Sequence, residues 1–341
     1  MNTQLTRVPV PVDLLRKIDR FVEDEAKAYE SRDAFIVDSI RERILELEHE
    51  SAEEPSVPAA KATETRTVPK ASSRSRQSTL EWPAPGTYVL SESENIALPA
   101  RELQFGMHNR DYPSIWSLTQ LCGLASNEAI LLDEFFEEII ARAWEFGEFL
   151  GSMKSPTGQK YDALFPTNRE KTKAAENRFR SFAIGEPRQN EAARKKGKIA
   201  TAGPLFSWGV AGLARVDGGA RLKIGPTKHG RELLDSLGQI DVQEPHSKAS
   251  SSAFLEHLDK HDPEDFQGFL DVLGSIGATG VNRGGLQKSL TKRWKRFGLN
   301  TNQMSTNAAG YVARCREWGL VELKQVQGKY QLTDFGRERI S

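Results

Sequence analysis

Residues 3–47, TQLTRVPVPVDLLRKIDRFVEDEAKAYESRDAFIVDSIRERILEL, constrain the fold more than any other stretch of this chain. Thr6, Val8 and Val10 alternate with Leu5, Arg7 and Pro9, the period of a half-buried strand. Pro11 ends that strand and suits the first turn of a helix, where its missing N–H costs nothing. Leu14, Leu15, Ile18, Phe21 and Val22 follow at helical spacing. Ser31 and Asp33 are N-cap types for a second helix, which carries Phe35, Ile36, Ile40, Ile44 and Leu47 on one face. One strand and two short helices cannot close a core, and a lone strand leaves its backbone unpaired. A second copy solves both problems: two strands pair antiparallel over four helices. Residues 1–49 are therefore expected to be a homodimerisation domain.

The same residues resemble the ribbon-helix-helix superfamily of DNA-binding regulators. Val10-Pro11-Val12-Asp13-Leu14-Leu15-Arg16-Lys17-Ile18-Asp19 follows the family's first-helix pattern, and Ser31-Arg32-Asp33, Phe35-Ile36 and Ser39-Ile40-Arg41-Glu42 follow its second. The resemblance implies that Leu5, Arg7 and Pro9 face a major groove. It also implies that Ser31 and Arg32 sit near phosphate, where free N–H groups and the helix dipole favour an anion. Two departures leave a second role open, dimerisation alone. Only Arg7 is a basic reader on the outer strand face, and residues 1–50 carry 8 Lys+Arg against 12 Asp+Glu.

Residues 50–85 are rich in Pro, Ser, Ala and Thr and poor in large apolar side chains, the composition of a flexible, disordered linker. Beyond it the charge is uneven, although Lys+Arg and Asp+Glu balance at 47 each. Residues 86–152 are net −8 and residues 153–240 net +9. No apolar run is long enough for a membrane span, no secretory signal opens the chain, and two distant cysteines suit a reducing cytoplasm.

The fold class expected is mainly α with small β elements. Residues 86–240 form a helical domain and residues 241–341 a C-terminal one. Ile115 to Leu124 and Ile130 to Phe149 have helical periodicity; the second places Phe135, Ile139, Trp144 and Phe149 on an apolar face and six carboxylates opposite. Residues 165–200, with clusters at Arg169–Arg180 and Arg194–Lys198, read as helix plus exposed loop, either solvated or in contact with nucleic acid. LARV and ARLKI around Asp217-Gly218-Gly219 read as a hairpin, and PTKHGRELLDSL as a closing helix.

A similar shape returns further on: helices at Phe266–Ile276, Gly284–Lys295 and Thr306–Trp318, then a hairpin around Gln327-Gly328 and a closing TDFGRERI. Three helices and a hairpin ending in Tyr330, Leu332, Thr333 and Gly336 resemble the winged-helix family. Leu222, Ile224, Thr227 and Gly230 stand in comparable places of the earlier stretch, so one or two winged-helix-like units are expected. Between Asp271 and Glu317 there is no acidic residue, but Arg283, Lys288, Lys292, Arg293, Lys295, Arg296, Arg314 and Arg316 are present. Lys288, Lys292 and Lys295 share one helix face, a face that attracts phosphate. The resemblance places the third helix in a major groove, so Asn302, Gln303, Ser305, Thr306 and Asn307 at its start are expected to contact bases or phosphate. Lys324 and Lys329 would touch backbone from the hairpin.

No phosphate loop, nucleophile elbow or dinucleotide motif is present. His257 and His261 are four apart, but no cysteine or third histidine stands near them in sequence, so they read as a surface helix pair and no metal or cofactor is expected. The expectation is a non-enzymatic, cytoplasmic, homodimeric protein that binds double-stranded DNA, most simply a sequence-specific transcriptional regulator. The alternative is a DNA-organising or plasmid-partition protein, or an antitoxin-like one that binds another protein. Removal of residues 1–50 should turn a dimeric mass into a monomeric one in light scattering; a persistent dimer would place the interface elsewhere.

Overall fold

The computed structural model describes residues 86–340 except 101–102, 104–107, 154–160, 170–171, 217–218 and 243–244. The expected ribbon-helix-helix unit, with Leu5, Arg7, Pro9, Ser31 and Arg32, and the expected linker lie outside the described residues. What is described is mostly helical with two small three-stranded sheets.

The centre is α1 (Tyr112–Leu124), buried on every side over most of its length. Pro113 starts it without a lost hydrogen bond. Its buried hydroxyls return to the helix: Ser117 Oγ donates to Pro113 O and Thr119 Oγ1 to Ile115 O. Next come β2 (Ile130–Leu131) and the amphipathic α2 (Leu132–Ser152). Phe135, Ile139, Ala143, Phe146 and Leu150 of α2 pack inward, and Phe146 stacks on Trp116. Trp144 is buried as expected, but Phe149 is not core: it is 41% exposed. Gln120 accepts from Arg142, which fastens α1 to α2.

The basic stretch that reads as helix and loop holds more structure. It contains α3 (Thr172–Phe179), a π-helical turn (Arg180–Ile184), β3 (Glu186–Arg188), α4 (Glu191–Lys195) and β4 (Ile199–Ala202). With β1 (Ala97–Pro99) these strands make a sheet of order β1-β4-β3, in which β1 is parallel and β3 antiparallel to β4. Strands of three and four residues are too short to show alternation. The β3–β4 pair is helped by Gly185 and Gly203 at its end, whose φ of +107° and +97° let two backbones approach where any Cβ would collide.

Then α5 (Pro204–Ser207) leads into the hairpin β5 (Ala211–Arg215) and β6 (Leu222–Pro226), registered Leu213 to Ile224. The expected strands are present; Asp217 and Gly218 of the turn lie outside the described residues. The second sheet has order β2-β6-β5. After it come α6 (Lys228–Leu237) and α7 (Lys248–His261). The C-terminal helices are α8 (Pro263–Ile276), α9 (Arg283–Arg293, continued by a 3-10 turn Trp294–Phe297), α10 (Thr301–Glu317) and α11 (Asp334–Glu338).

The chain repeats its own topology. In the first half a helix, a short strand and a second helix precede a hairpin whose last strand lies in the middle of the sheet. In the second half Val281, between α8 and α9, pairs with Tyr330, and Val321 pairs with Leu332. The hairpins also begin and end alike. Trp208-Gly209-Val210 and Trp318-Gly319-Leu320 both turn at a glycine of positive φ, +69° and +65°. Thr227 donates its hydroxyl to Gly209 O and caps Gly230 N; Thr333 donates to Gly319 O and caps Gly336 N. All described residues belong to one unit, residues 73–341, and its buried core runs continuously across residue 240.

The halves are joined by a buried ionic hub. Arg314 is fully buried; its Nε donates to Asp111 at 2.8 Å and its two terminal nitrogens to Asp265 at 2.7 Å each. Trp208 of the first half donates to Asp265, and Trp318 of the second donates to Asp111. Tyr311 and His108 complete the shell, and the guanidinium lies over the Phe269 and Tyr311 rings. Beside it, Glu317 accepts from the N–H groups of Asp111 and Tyr112 at the start of α1 and from Arg110. Burial alone would raise the Glu317 carboxyl, but Arg110 and His246 outweigh it and hold the group down to about 2.

Two predictions follow from the hub. Arg314→Ala leaves two buried carboxylates uncompensated and should cost about 3–5 kcal/mol, read from urea unfolding midpoints. A loss below about 1 kcal/mol would show the hub to be dispensable. Glu317 is depressed in the fold, so its contribution is complete above the ordinary carboxyl value of 4.5 and vanishes as pH falls toward about 2. Glu317→Gln should be less stable at pH 7 and should flatten the stability profile between those limits.

Candidate nucleic-acid interface

The site to be tested is built on α9, α10 and the hairpin after them. Asn282 caps α9 by accepting from Gly285 N. Leu286, Leu290 and Trp294 are buried, and the Trp294 indole donates to Asp271. That buried stripe turns Lys288, Lys292 and Lys295 outward, where all three are exposed. None of them has an ion-pair partner among the described residues. Arg293 and Arg296 share the exposed side but are tethered, Arg293 to Asp271 at 3.3 Å and Arg296 to Glu264 at 2.6 Å.

Asn300 caps α10 in a reciprocal box with Gln303. Gln303 is exposed, but its carbonyl is already used by Asn300 N. Asn302, Ser305 and Thr306 are half-buried on the outer side, with Ala309 exposed and Ala313 half-buried further along. Asn307 points inward and is buried, as is Arg314. Both leave the expected contact set: Arg314 is held by two carboxylates in the hub, and Asn307 lies on the side of α10 that packs on the core. Arg316 sits at the foot of the hairpin, donating to Glu322 O beneath the Tyr330 ring.

At the hairpin tip Gln327 and Gly328 both have positive φ, 53° and 72°, the geometry of a tight two-residue turn. Lys324 and Lys329 flank it, exposed and without ion-pair partners among the described residues. Val326 between them is 44% exposed. Because Val281 at the start of α9 pairs with Tyr330, the hairpin adjoins α9.

The earlier basic clusters are compensated only in part. Arg169 pairs with Glu148, Arg180 with Glu186 and Arg194 with Glu191, and Lys198 donates to Asn95 O. The first-half helix that matches α9 in order is α2, whose outer face carries Asp133, Glu134, Glu137, Glu138, Glu145 and Glu148. The two halves thus present opposite charge on matching helices.

The sequence does not show Asp111, Asp265 and Glu317 as partners, since contacts about 50 residues apart at Asp265 and more than 200 at Asp111 and Glu317 leave no local pattern. The recurrence of Trp-Gly before each hairpin was the available signal. Cys122 and Cys315 are buried, and burial pushes the Cys122 thiol up to about 11 and the Cys315 thiol further, so neither is a poised nucleophile. Burial lowers the His257 imidazole to about 4. Among the described residues no helix is long and apolar enough to cross a membrane, and no group of three or more His, Cys, Asp or Glu side chains is placed as it stands to hold a metal ion. No family model, curated protein or solved structure matches this chain.

Proposed function

We propose that residues 241–341 are a winged-helix-like unit that grips double-stranded DNA, in a dimeric, cytoplasmic DNA-binding protein whose residues 1–49 pair two chains. The supporting observation is the α9 face: Lys288, Lys292 and Lys295 exposed and without ion-pair partners, in a segment without a carboxylate. Each phosphate such a face neutralises releases counterions, so binding should be strongly salt-dependent. In this reading α10 enters the major groove, and Asn302, Ser305 and Thr306 supply its polar contacts. Lys324 and Lys329 hold the backbone from the hairpin. The first half, with an acidic helix in the matching place, serves as scaffold. The biological role is transcriptional regulation.

One observation favours the second reading, a DNA organiser without promoter control. The outer face of α10 is short and neutral at Ala309 and Ala313, and Arg314 is withdrawn into the core. Few long side chains remain there to discriminate bases. Genome-wide mapping separates the two: discrete palindromic promoter sites support the regulator, broad coverage the organiser.

Replacement of Lys288, Lys292 and Lys295 together by Glu should weaken binding to every duplex tested. The slope of log affinity against log salt should shrink by about three, near 0.9 for each lost phosphate contact. An unchanged slope would remove α9 from the interface. All three positions are exposed, so the unfolding midpoint should barely move and serves as control.

A further inference from the structure

His257 and His261 lack a third ligand in the sequence around them. The fold supplies one. His229, in the first turn of α6, stands with its ring centroid 4.1 Å from that of His261, and His257 lies 4.6 Å from His261 on the other side. Three of the six histidines in the chain are thus gathered in one stack. Two of them are held by hydrogen bonds. His257 is buried, not a surface residue, and its Nε2 stands 2.8 Å from Trp208 O. A carbonyl only accepts, so Nε2 carries the proton and Nδ1 keeps its lone pair. His229 Nδ1 lies 3.3 Å from Glu232 Oε2, a contact that in the neutral ring leaves Nε2 as the free acceptor. A ring proton fixed by a carbonyl or a carboxylate is how ligating imidazoles are oriented in metal sites.

We propose that His229, His257 and His261 form a capture site for one late transition-metal dication of the zinc, nickel or copper class, with Glu232 beside it. Imidazole donors select these ions over magnesium and calcium, which prefer oxygen. The rings now stack, so binding requires His229 and His261 to turn. Both have room, His229 being about one-third exposed (35%) and His261 half-buried. Lys228 and Lys260 are the opposing charges. Lys228 already leans on Glu232 at 3.6 Å, and Lys260 is exposed and free to swing away. Because the ligands come from α6 and α7, the ion would fasten the last helix of the first half to the helix that leads into the second. Metal bound only by the native state stabilises it by mass action.

The test uses the untagged full chain. Zinc titrated by calorimetry should give one ion per chain, cobalt(II) should develop visible absorption bands, and excess zinc should raise the thermal midpoint. His229→Asn and His261→Asn, made separately at accessible positions, should each weaken zinc at least tenfold while leaving the metal-free midpoint near that of the parent. No saturable binding of zinc or cobalt, or binding kept by both variants, overturns the proposal. The latter outcome would move the ion to His49 or another site. DNA binding is scored apart from metal binding, so loss of either reading leaves the other intact.

Discussion

Arg314 carries more of this architecture than any other side chain. Its guanidinium is shared between Asp111, which opens α1 in the first half, and Asp265, in the first turn of α8 in the second. The indoles that end α5 and α10 reach across in reverse, Trp208 to Asp265 and Trp318 to Asp111. Asp265 is thereby held by both halves, and Asp111 by Arg314 and Trp318 of the second half and His108 of its own. Desolvating such ions is costly, and well-packed apolar replacements often match their stability. What apolar contact lacks is direction. The planar guanidinium donates to two carboxylates at fixed angles and fixes how α10 lies against α1 and α8.

The hub also decides what remains outside. Of the eight cations in the acid-free window, Arg314 is spent inside and Arg316 is used at the foot of the hairpin. Arg293 and Arg296 are drawn toward acids of α8. Lysine therefore dominates the free charge of the surface. A lysine ammonium is a mobile point charge that suits phosphate at any sequence, whereas arginine supplies the forked contact that distinguishes guanine. Within this window four of the five arginines make directed contacts to acids or a backbone carbonyl, while the three lysines keep their charge at the surface.

Much of this was legible in the sequence and some was not, for physical reasons. The long helices and the β5–β6 hairpin follow from periodicity and turn residues, and the likeness between the Thr227–Gly230 and Thr333–Gly336 stretches marked the repeated shape. Lys288 and Lys292 share a face through i, i+4 spacing, and Lys295 follows them, exposed, in the 3-10 turn that ends the helix. Strands β1, β3 and β4 hold only three or four residues each, too few to show a pattern, and β3 and β4 meet where Gly185 approaches Gly203. Arg314 was misplaced because its charge signature matches that of a surface arginine; only the packing of α10 shows which of its faces is inward. His229 was missed as the neighbour of His261 because α6 and α7 meet only in the fold.

The opposite charge of the matching helices α2 and α9 carries one further consequence. Two units of the same topology in one chain suggest two equivalent grips on DNA, yet the carboxylates of α2, with only Glu138 and Glu148 paired to arginines, would repel the phosphate backbone that the lysines of α9 attract. Under the proposed function each chain offers one grip, not two, and a single lysine face with short contacts on α10 holds DNA weakly at physiological salt. Strength must then come from joining chains. Paired N-termini would place two such grips on one duplex, and the composition of residues 50–85 sets how far apart they can reach. Affinity would accordingly depend on the spacing of two contacted segments more than on the bases within either, as expected of a surface rich in lysine and poor in forked donors.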